Sequence, residues 1–315
     1  MTDRAPIDVL CMLVLPELAE RVRRMAGIRL TVTEDRAETL RHLATARVLI
    51  ARRMDAELLR SAPRLELIHA YTGGVEDVLI PELAASPIPV ACVKGIFDVT
   101  GAEHAMASML ALTYRLPAYL RQQRERRHDW VAPHELRGKT VGIAGLGGIG
   151  MELARLASCF GAHVIGCSRN AKASPHLAAW LAPDRLEELL AASDFVVVCV
   201  PRTPLTEGLF GARQFRAMKR SAYLIDVTGR SVLFDLDALV RALREGWIAG
   251  ADLQIQQGLP PADSPLWELD NLILSKYAAN SVETQRRFAD HIVENLRRHR
   301  DGRPLLGLVD KAAGY

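Results

Sequence analysis

Lys139-Thr-Val-Gly-Ile-Ala-Gly145-Leu-Gly147-Gly-Ile-Gly150 is followed by Met-Glu-Leu-Ala-Arg-Leu-Ala-Ser-Cys-Phe-Gly161 and then Ala-His-Val-Ile-Gly-Cys-Ser168-Arg169-Asn170. An apolar run ends in glycines, an amphipathic run follows, and a second apolar run closes the unit. That order reads as strand, tight turn, helix, strand. A Gly-x-Gly-x-x-Gly motif gains specificity from this context, because it follows a strand and opens a helix. Gly145 is expected to make the turn, Gly147 to let a pyrophosphate approach the backbone, and Gly150 to let helix and strand pack closely. The free N–H groups and positive dipole end of the helix would face phosphate oxygens. The stretch predicts a dinucleotide site.

Working outward, a chain of 315 residues exceeds the size at which one core usually divides, so about two domains are expected. The apolar and charged fractions are those of an ordinary globular protein. A net charge of +3 gives no argument for nucleic acid or membrane binding. Cys11, Cys92, Cys159, Cys167 and Cys199 lie mostly within apolar runs, with no Cys-x-x-Cys pair, and read as buried free thiols of a reducing compartment. No signal peptide and no membrane-spanning run is visible, and a cytoplasmic location is the expectation. No metal-ligand spacing appears.

Upstream of the motif, strand-length apolar runs at Asp8–Leu15, Ile28–Thr33, Ala46–Ala51, Leu65–Ala70 and Pro89–Val93 alternate with helical patterns. Such alternation argues a parallel sheet covered by helices. Gly73, Gly74 and Val75 follow the fourth strand, where parallel sheets bind ligands. A plain glycine turn fits them equally well. Thr100 to Leu116 reads as a long helix, with Thr100 as cap and Glu103 at the capping-box distance. Pro117 marks its end or a kink, Arg121 to His128 a solvated charged face, and Trp130 an isolated aromatic. Downstream, strands are expected at Phe195–Pro201, Ala222–Val227, Ile248–Ile255 and Leu272–Tyr277, with helices at Leu236–Glu245 and Val282–His299.

Several of these stretches together resemble the D-isomer-specific 2-hydroxyacid dehydrogenase family. They are Glu135-Leu-Arg-Gly138-Lys-Thr-Val-Gly142 leading into the glycines, Val200-Pro201-Arg202-Thr203-Pro204-Leu205-Thr206, Ser264-Pro265-Leu266-Trp267, and Pro304-Leu-Leu-Gly-Leu-Val-Asp310. The resemblance implies an α/β fold in which a Rossmann dinucleotide-binding domain is inserted into a flavodoxin-like substrate domain. Boundaries on that plan are 1–98 with 285–315 for the substrate domain and 99–284 for the cofactor domain. It also implies a homodimer built through the cofactor domains, and reduction of small 2-keto acids such as glyoxylate, hydroxypyruvate or pyruvate by NADH or NADPH. Gly145, Gly147, Gly148, Ile149, Gly150, Ser168, Arg169, Val200, Pro201, Arg202, Thr206 and Val227 would then line the cofactor, with Gly73, Gly74, Val75 and Arg230 around the substrate.

Family members use an Arg to hold the substrate carboxylate and a Glu–His pair as proton donor. Arg230 carries over by its spacing to the following helix, although Asp226-Val-Thr-Gly-Arg230 is one residue longer than the usual Asn-x-x-Arg. A guanidinium suits bidentate carboxylate binding; a surface salt bridge is the plainer role. The Glu and the His do not carry over. The usual Leu-Asp-Val-Phe-Glu-x-Glu-Pro is here Leu253-Gln254-Ile255-Gln256-Gln257-Gly258-Leu259-Pro260, and Thr-Pro-His is Ser275-Lys276-Tyr277. Tyr277 is therefore the candidate hydrogen-bond donor or acid, its alternative being a ring that fills the space of the missing His. Ser168 and Arg169 stand where NAD enzymes carry an acid for the ribose hydroxyls, which favours NADP(H), and Arg202 could add a second positive charge. Two functions follow: a reductase with an atypical active site, or a dinucleotide-binding protein with little activity that acts as a sensor or partner.

Overall fold

The computed structural model describes residues 5–255, 260–276 and 281–314. It divides into two compact units, Met1–Ile96 with Ser281–Tyr315, and Phe97–Asn280.

The first unit holds strands β1 (Ile7–Cys11), β2 (Ile28–Val32), β3 (Val48–Ala51), β4 (Leu67–Ala70) and β5 (Val90–Cys92). They form one parallel sheet in the order β2-β1-β3-β4-β5, a flavodoxin-like arrangement. Its first four helices are α1 (Pro16–Arg23), α2 (Arg36–Leu43), α3 (Ala56–Arg60) and α4 (Pro81–Ala84). Asp35 and Asp55 cap α2 and α3 through their carboxylates, and Pro16 and Pro81 open α1 and α4 where a missing N–H costs nothing. β3 and β4 are buried along their whole length, which explains their continuous apolar sequence. The chain returns to this unit with a long helix (Val282–Arg300), and its tail pairs with β5 through Val309 N–H to Val90 O and Cys92 N–H to Gly307 O. Asn295 of that helix ties the tail down, accepting from Leu306 N–H and donating to Leu306 O. Beside it, burial pushes the His69 imidazole down to about 3, so this histidine is neutral in the folded protein.

The second unit begins with α5 (Asp98–Thr113) and α6 (Leu116–Arg124). Its strands are β6 (Thr140–Ala144), β7 (His163–Cys167), β8 (Ala179–Leu181), β9 (Phe195–Val198), β10 (Tyr223–Asp226), β11 (Gly250–Gln254) and β12 (Leu272–Ser275). Helices α7 (Gly148–Cys159), α8 (Leu186–Ala192), α9 (Ala212–Ala217) and α10 (Leu236–Arg244) alternate with them, so the returning helix is α11. All seven strands are parallel, in the order β12-β11-β10-β9-β6-β7-β8. The order reverses between β6 and β9, the switch point at which doubly wound sheets bind dinucleotides. One apolar layer joins α5 and α7 to the sheet, and the other packs α8, α9 and α10 on its opposite face.

Three expectations need correction. The long helix starts at Asp98, not Thr100; Thr100 sits within it and turns its hydroxyl to the Phe97 carbonyl. Its end is marked by Arg115 in the left-handed region (φ 55°), and Pro117 belongs to the first turn of a separate helix, α6. Part of the charged run after it therefore continues that helix. Cys159 is exposed at the end of α7, whereas Cys11, Cys92 and Cys167 are buried and Cys199 partly so.

Candidate active site

Gly145 and Gly150 have steric reasons to be glycine. Gly145 has φ +107°, and a Cβ there would stand 2.6 Å from the Cys199 carbonyl carbon and oxygen. Only glycine fits so close to the strand that crosses beside it. A Cβ on Gly150 would meet the Gly145 carbonyl oxygen at 2.1 Å, so this glycine lets α7 start directly over β6. Nothing lies within 4 Å of the Cβ position of Gly147, leaving its backbone open to a ligand. Ile149 packs instead against Gly101 of α5, locking the two helices together. α7 thus presents its first turn beyond the carboxyl end of β6, with no side-chain cap on its N–H groups. These features fit a pyrophosphate.

At the end of β7, Ser168 and Arg169 occupy the position expected to meet the adenosine ribose. Trp180 Nε1 donates to the Ser168 hydroxyl at 3.1 Å and to its carbonyl at 3.2 Å, which fixes the turn. Arg169 is exposed. After β9, Val200 and Pro201 lead into a loop closed by the Thr206 hydroxyl, which donates to Pro201 O at 2.7 Å. Arg202 Nε donates to Glu207 Oε1 at 2.9 Å in that loop, so its positive charge is already balanced by a neighbour. Val227 is buried at the start of the next loop.

That loop carries Arg230. Asp226, fully buried at the end of β10, accepts on Oδ1 from the Thr228 N–H (2.8 Å) and hydroxyl (2.6 Å). Thr228 Oγ1 in turn accepts from Arg230 N–H at 3.1 Å, and Gly229 supplies a left-handed residue (φ 64°) between them. The loop's extra residue is absorbed by this Asp–Thr–Arg ladder, which sets the backbone at Arg230. Burial raises the Asp226 carboxyl to about 6, with the nearby Asp252 charge adding to it, and its Oδ2 is buried without a hydrogen-bond partner. Burial also pushes the Cys199 thiol far up, so it is not a thiolate nucleophile.

In the other unit, Gly73, Gly74 and Val75 form a turn past the carboxyl end of β4. Thr72 Oγ1 donates to Gly74 O at 2.5 Å, and Val75 is buried and accepts from the Val78 and Leu79 N–H groups. Tyr277 and the Gln256-Gln257 pair lie outside the described residues.

Sequence reading missed a polar cluster. His104 of α5, Asp252 of β11 and Ser275 of β12 meet on the sheet face that α5 covers. Their positions are far apart in the chain, and an Asp within an apolar strand was the only sign available.

A seven-stranded parallel sheet with this glycine turn at its switch point is the arrangement of a Rossmann dinucleotide-binding domain. The NAD binding domain model of D-isomer specific 2-hydroxyacid dehydrogenases matches residues 106–279. A glyoxylate reductase of Thermococcus gammatolerans is 33% identical over 286 residues, 87% of this chain and 85% of that protein. Among solved structures, a D-isomer specific 2-hydroxyacid dehydrogenase from Xanthobacter autotrophicus Py2, in complex with NADPH and MES, is 28% identical with TM-score 0.86, covering 99% of this chain and 100% of that one. An NADPH-dependent glyoxylate/hydroxypyruvate reductase from Sinorhizobium meliloti, in complex with NADP and sulfate, is 25% identical with TM-score 0.86 and the same coverage. The chain belongs to the D-isomer-specific 2-hydroxyacid dehydrogenases and is an NAD(P)-dependent oxidoreductase. Among the described residues no helix is long and apolar enough to cross a membrane, and no group of metal-ligating side chains occurs.

Proposed function

We propose that the protein is an NADPH-dependent reductase of small 2-keto acids, with an active site that departs from the family pattern. The observation that carries it is the intact pyrophosphate turn together with Arg230 held on the Asp226–Thr228 ladder. Gly145, Gly147, Gly148, Ile149 and Gly150 would hold the pyrophosphate, and Val200, Pro201, Thr206 and Val227 the rest of the dinucleotide. Bound there, the nicotinamide supplies the hydride. Arg230 would bind the substrate carboxylate through two parallel hydrogen bonds. Tyr277 would donate a hydrogen bond to the oxygen that gains charge. Two copies of the chain would pair through their cofactor domains.

NADPH is favoured over NADH because Ser168 and Arg169 replace the acid that would repel a 2′-phosphate. Arg202 is a weaker contributor, since Glu207 already neutralises it. The reading is tested by titrating NADPH, NADH and glyoxylate against wild type and Arg230→Lys. Tighter NADPH than NADH binding is expected. Arg230→Lys is expected to weaken keto-acid binding at least tenfold while leaving dinucleotide affinity within about twofold, because Lys cannot make the forked contact. Equal losses for both ligands would make Arg230 structural.

A further inference from the structure

Asp98 opens α5, which packs along α7. Its carboxylate rests on the first residue of α7: a Cβ on Gly148 would stand 2.0 Å from Asp98 Oδ2 and 2.3 Å from Oδ1. The place of a side chain at 148, directly beside the start of α7, is thus taken by an acid reaching over from another helix. Gly148 is also among the residues assigned above to the pyrophosphate. The Asp98 side chain is half-buried on the wall of a cavity open to solvent, which Glu152, Arg155 and His176 also line.

The N–H groups and dipole of the α7 start attract a carboxylate and a pyrophosphate alike, so the two compete for one helix end. A pyrophosphate seated there brings two negative charges next to Asp98, and their repulsion grows as water is displaced. A proton on the acid relieves it, because a neighbouring like charge favours the neutral form. Asp98 already leans that way: burial raises its carboxyl above the usual range, and the Glu152 charge adds to the effect. An acid in the first turn also favours α5 itself. That accounts for an Asp at this position but not for its contact with Gly148.

We propose that Asp98 sets the affinity of the pyrophosphate turn: the dinucleotide binds best when this carboxyl is neutral, and its binding takes up one proton from solvent. The proposal rests on the dinucleotide occupying the start of α7 and not on which acid is reduced. The proton comes from water through the open cavity and adds to a carboxylate oxygen of Asp98, while no bond of the dinucleotide changes. Affinity is then highest in acid and falls as pH rises through the range in which Asp98 ionises. Few other charges face this carboxyl. From α7 it meets Glu152, itself paired with Arg155 at 2.6 Å. His176, from the segment before β8, lines the same cavity, with its Nδ1 2.9 Å from the Ser158 hydroxyl. On α5 itself the next charged or titratable groups, Glu103 and His104, lie more than one turn further on.

The test is calorimetric titration of wild type and Asp98→Asn with NAD⁺ from about pH 5.5 to about pH 8. NAD⁺ is the probe because the 2′-phosphate of NADPH titrates near pH ~6 itself and would mask the signal. Asp98→Asn keeps the shape of the side chain and removes its charge. It is expected to bind NAD⁺ about tenfold more tightly than wild type at the alkaline end, the effect of one like charge worth about one pKa unit. Its affinity should also stay within about twofold across the range, whereas that of wild type falls as pH rises. Weaker or unchanged binding in Asp98→Asn overturns the proposal. A pH slope that persists in the variant does so too, and would place the titration on His176. Should the variant fail to fold, wild type titrated in two buffers of different ionisation enthalpy gives the answer: proton uptake on binding is expected, and none at any pH in the range overturns the proposal. Wild type that binds no dinucleotide overturns it together with the cofactor assignment. No turnover enters either measurement, so the result is separate from whether a keto acid is reduced.

Discussion

Asp226→Asn exchanges one atom at the residue that sets the Arg230 loop, and its consequence can be worked out before any measurement. In the folded protein the carboxyl is raised from 3.8 to about 6, chiefly by burial, and Oδ2 has no hydrogen-bond partner. A raised carboxyl pKa means the folded state holds its proton more tightly than the unfolded chain. The stability this contributes is complete below about 3.8 and is lost as pH rises through about 6. Integrating that shift gives a penalty for the ionised wild type of about 3 kcal/mol at pH 8 and roughly half that at pH 5. Asn keeps an oxygen to accept from Thr228, carries no charge, and buries an amide whose cost does not vary with pH. The variant should therefore gain on the order of 1 kcal/mol on wild type between pH 5 and pH 8, whatever the constant offset. The assay is urea unfolding followed by tryptophan fluorescence. Trp130, Trp180, Trp247 and Trp267 are all four tryptophans of the chain, and all fall within Phe97–Asn280, so the signal reports that unit. A stability difference that stays constant over this pH range would refute the burial of an ionisable Asp226.

Three further outcomes follow from other sites. Gly150→Ala places a Cβ against the Gly145 carbonyl oxygen and should abolish measurable NADPH binding by calorimetry, while far-UV circular dichroism stays near wild type. Tyr277→Phe keeps the ring and removes the donor; single-turnover hydride transfer should fall about 10²-fold with cofactor affinity unchanged, and a change within about threefold would leave the ring a space filler. His69 is held at about 3 by burial, against 6.5 when free. Its stabilising contribution is whole above 6.5 and is lost at about 1.4 kcal/mol per pH unit as acid is added toward 3. Hydrogen exchange at the β4 amides should show that loss in wild type and not in His69→Gln.

What the sequence made legible was what sterics and periodicity dictate locally. Gly145 and Gly150 could be assigned their tasks because a glycine motif between two strands admits few geometries. The strands β3 and β5 were readable because fully buried parallel strands need unbroken apolar runs, while the edge strand β2 showed itself by alternating Ile28, Leu30 and Val32 with polar residues. Three-residue β8 and the short helices α8 and α9 were not, since so few residues establish no period. The start of α5 was displaced because Thr100 and Glu103 imitate a capping box, whereas the hydroxyl turns back to the Phe97 carbonyl from inside the helix. Spacing singled out Arg230 as a candidate, and the Asp226–Thr228–Arg230 ladder that sets its backbone was visible only in the structure. The His104–Asp252 pairing joins α5 to β11 across most of a domain, and no local pattern announces a contact of that kind.

The central claim is that this chain transfers hydride from NADPH to a small 2-keto acid. Steady-state oxidation of NADPH and NADH, measured with glyoxylate, hydroxypyruvate and pyruvate, tests it most directly. Saturable oxidation of NADPH by at least one of these acids, with NADH the poorer donor and Arg230→Lys nearly inactive, is the predicted result. Tight NADPH binding with no oxidation by any of them would contradict it and would make the protein a dinucleotide sensor or interaction partner instead.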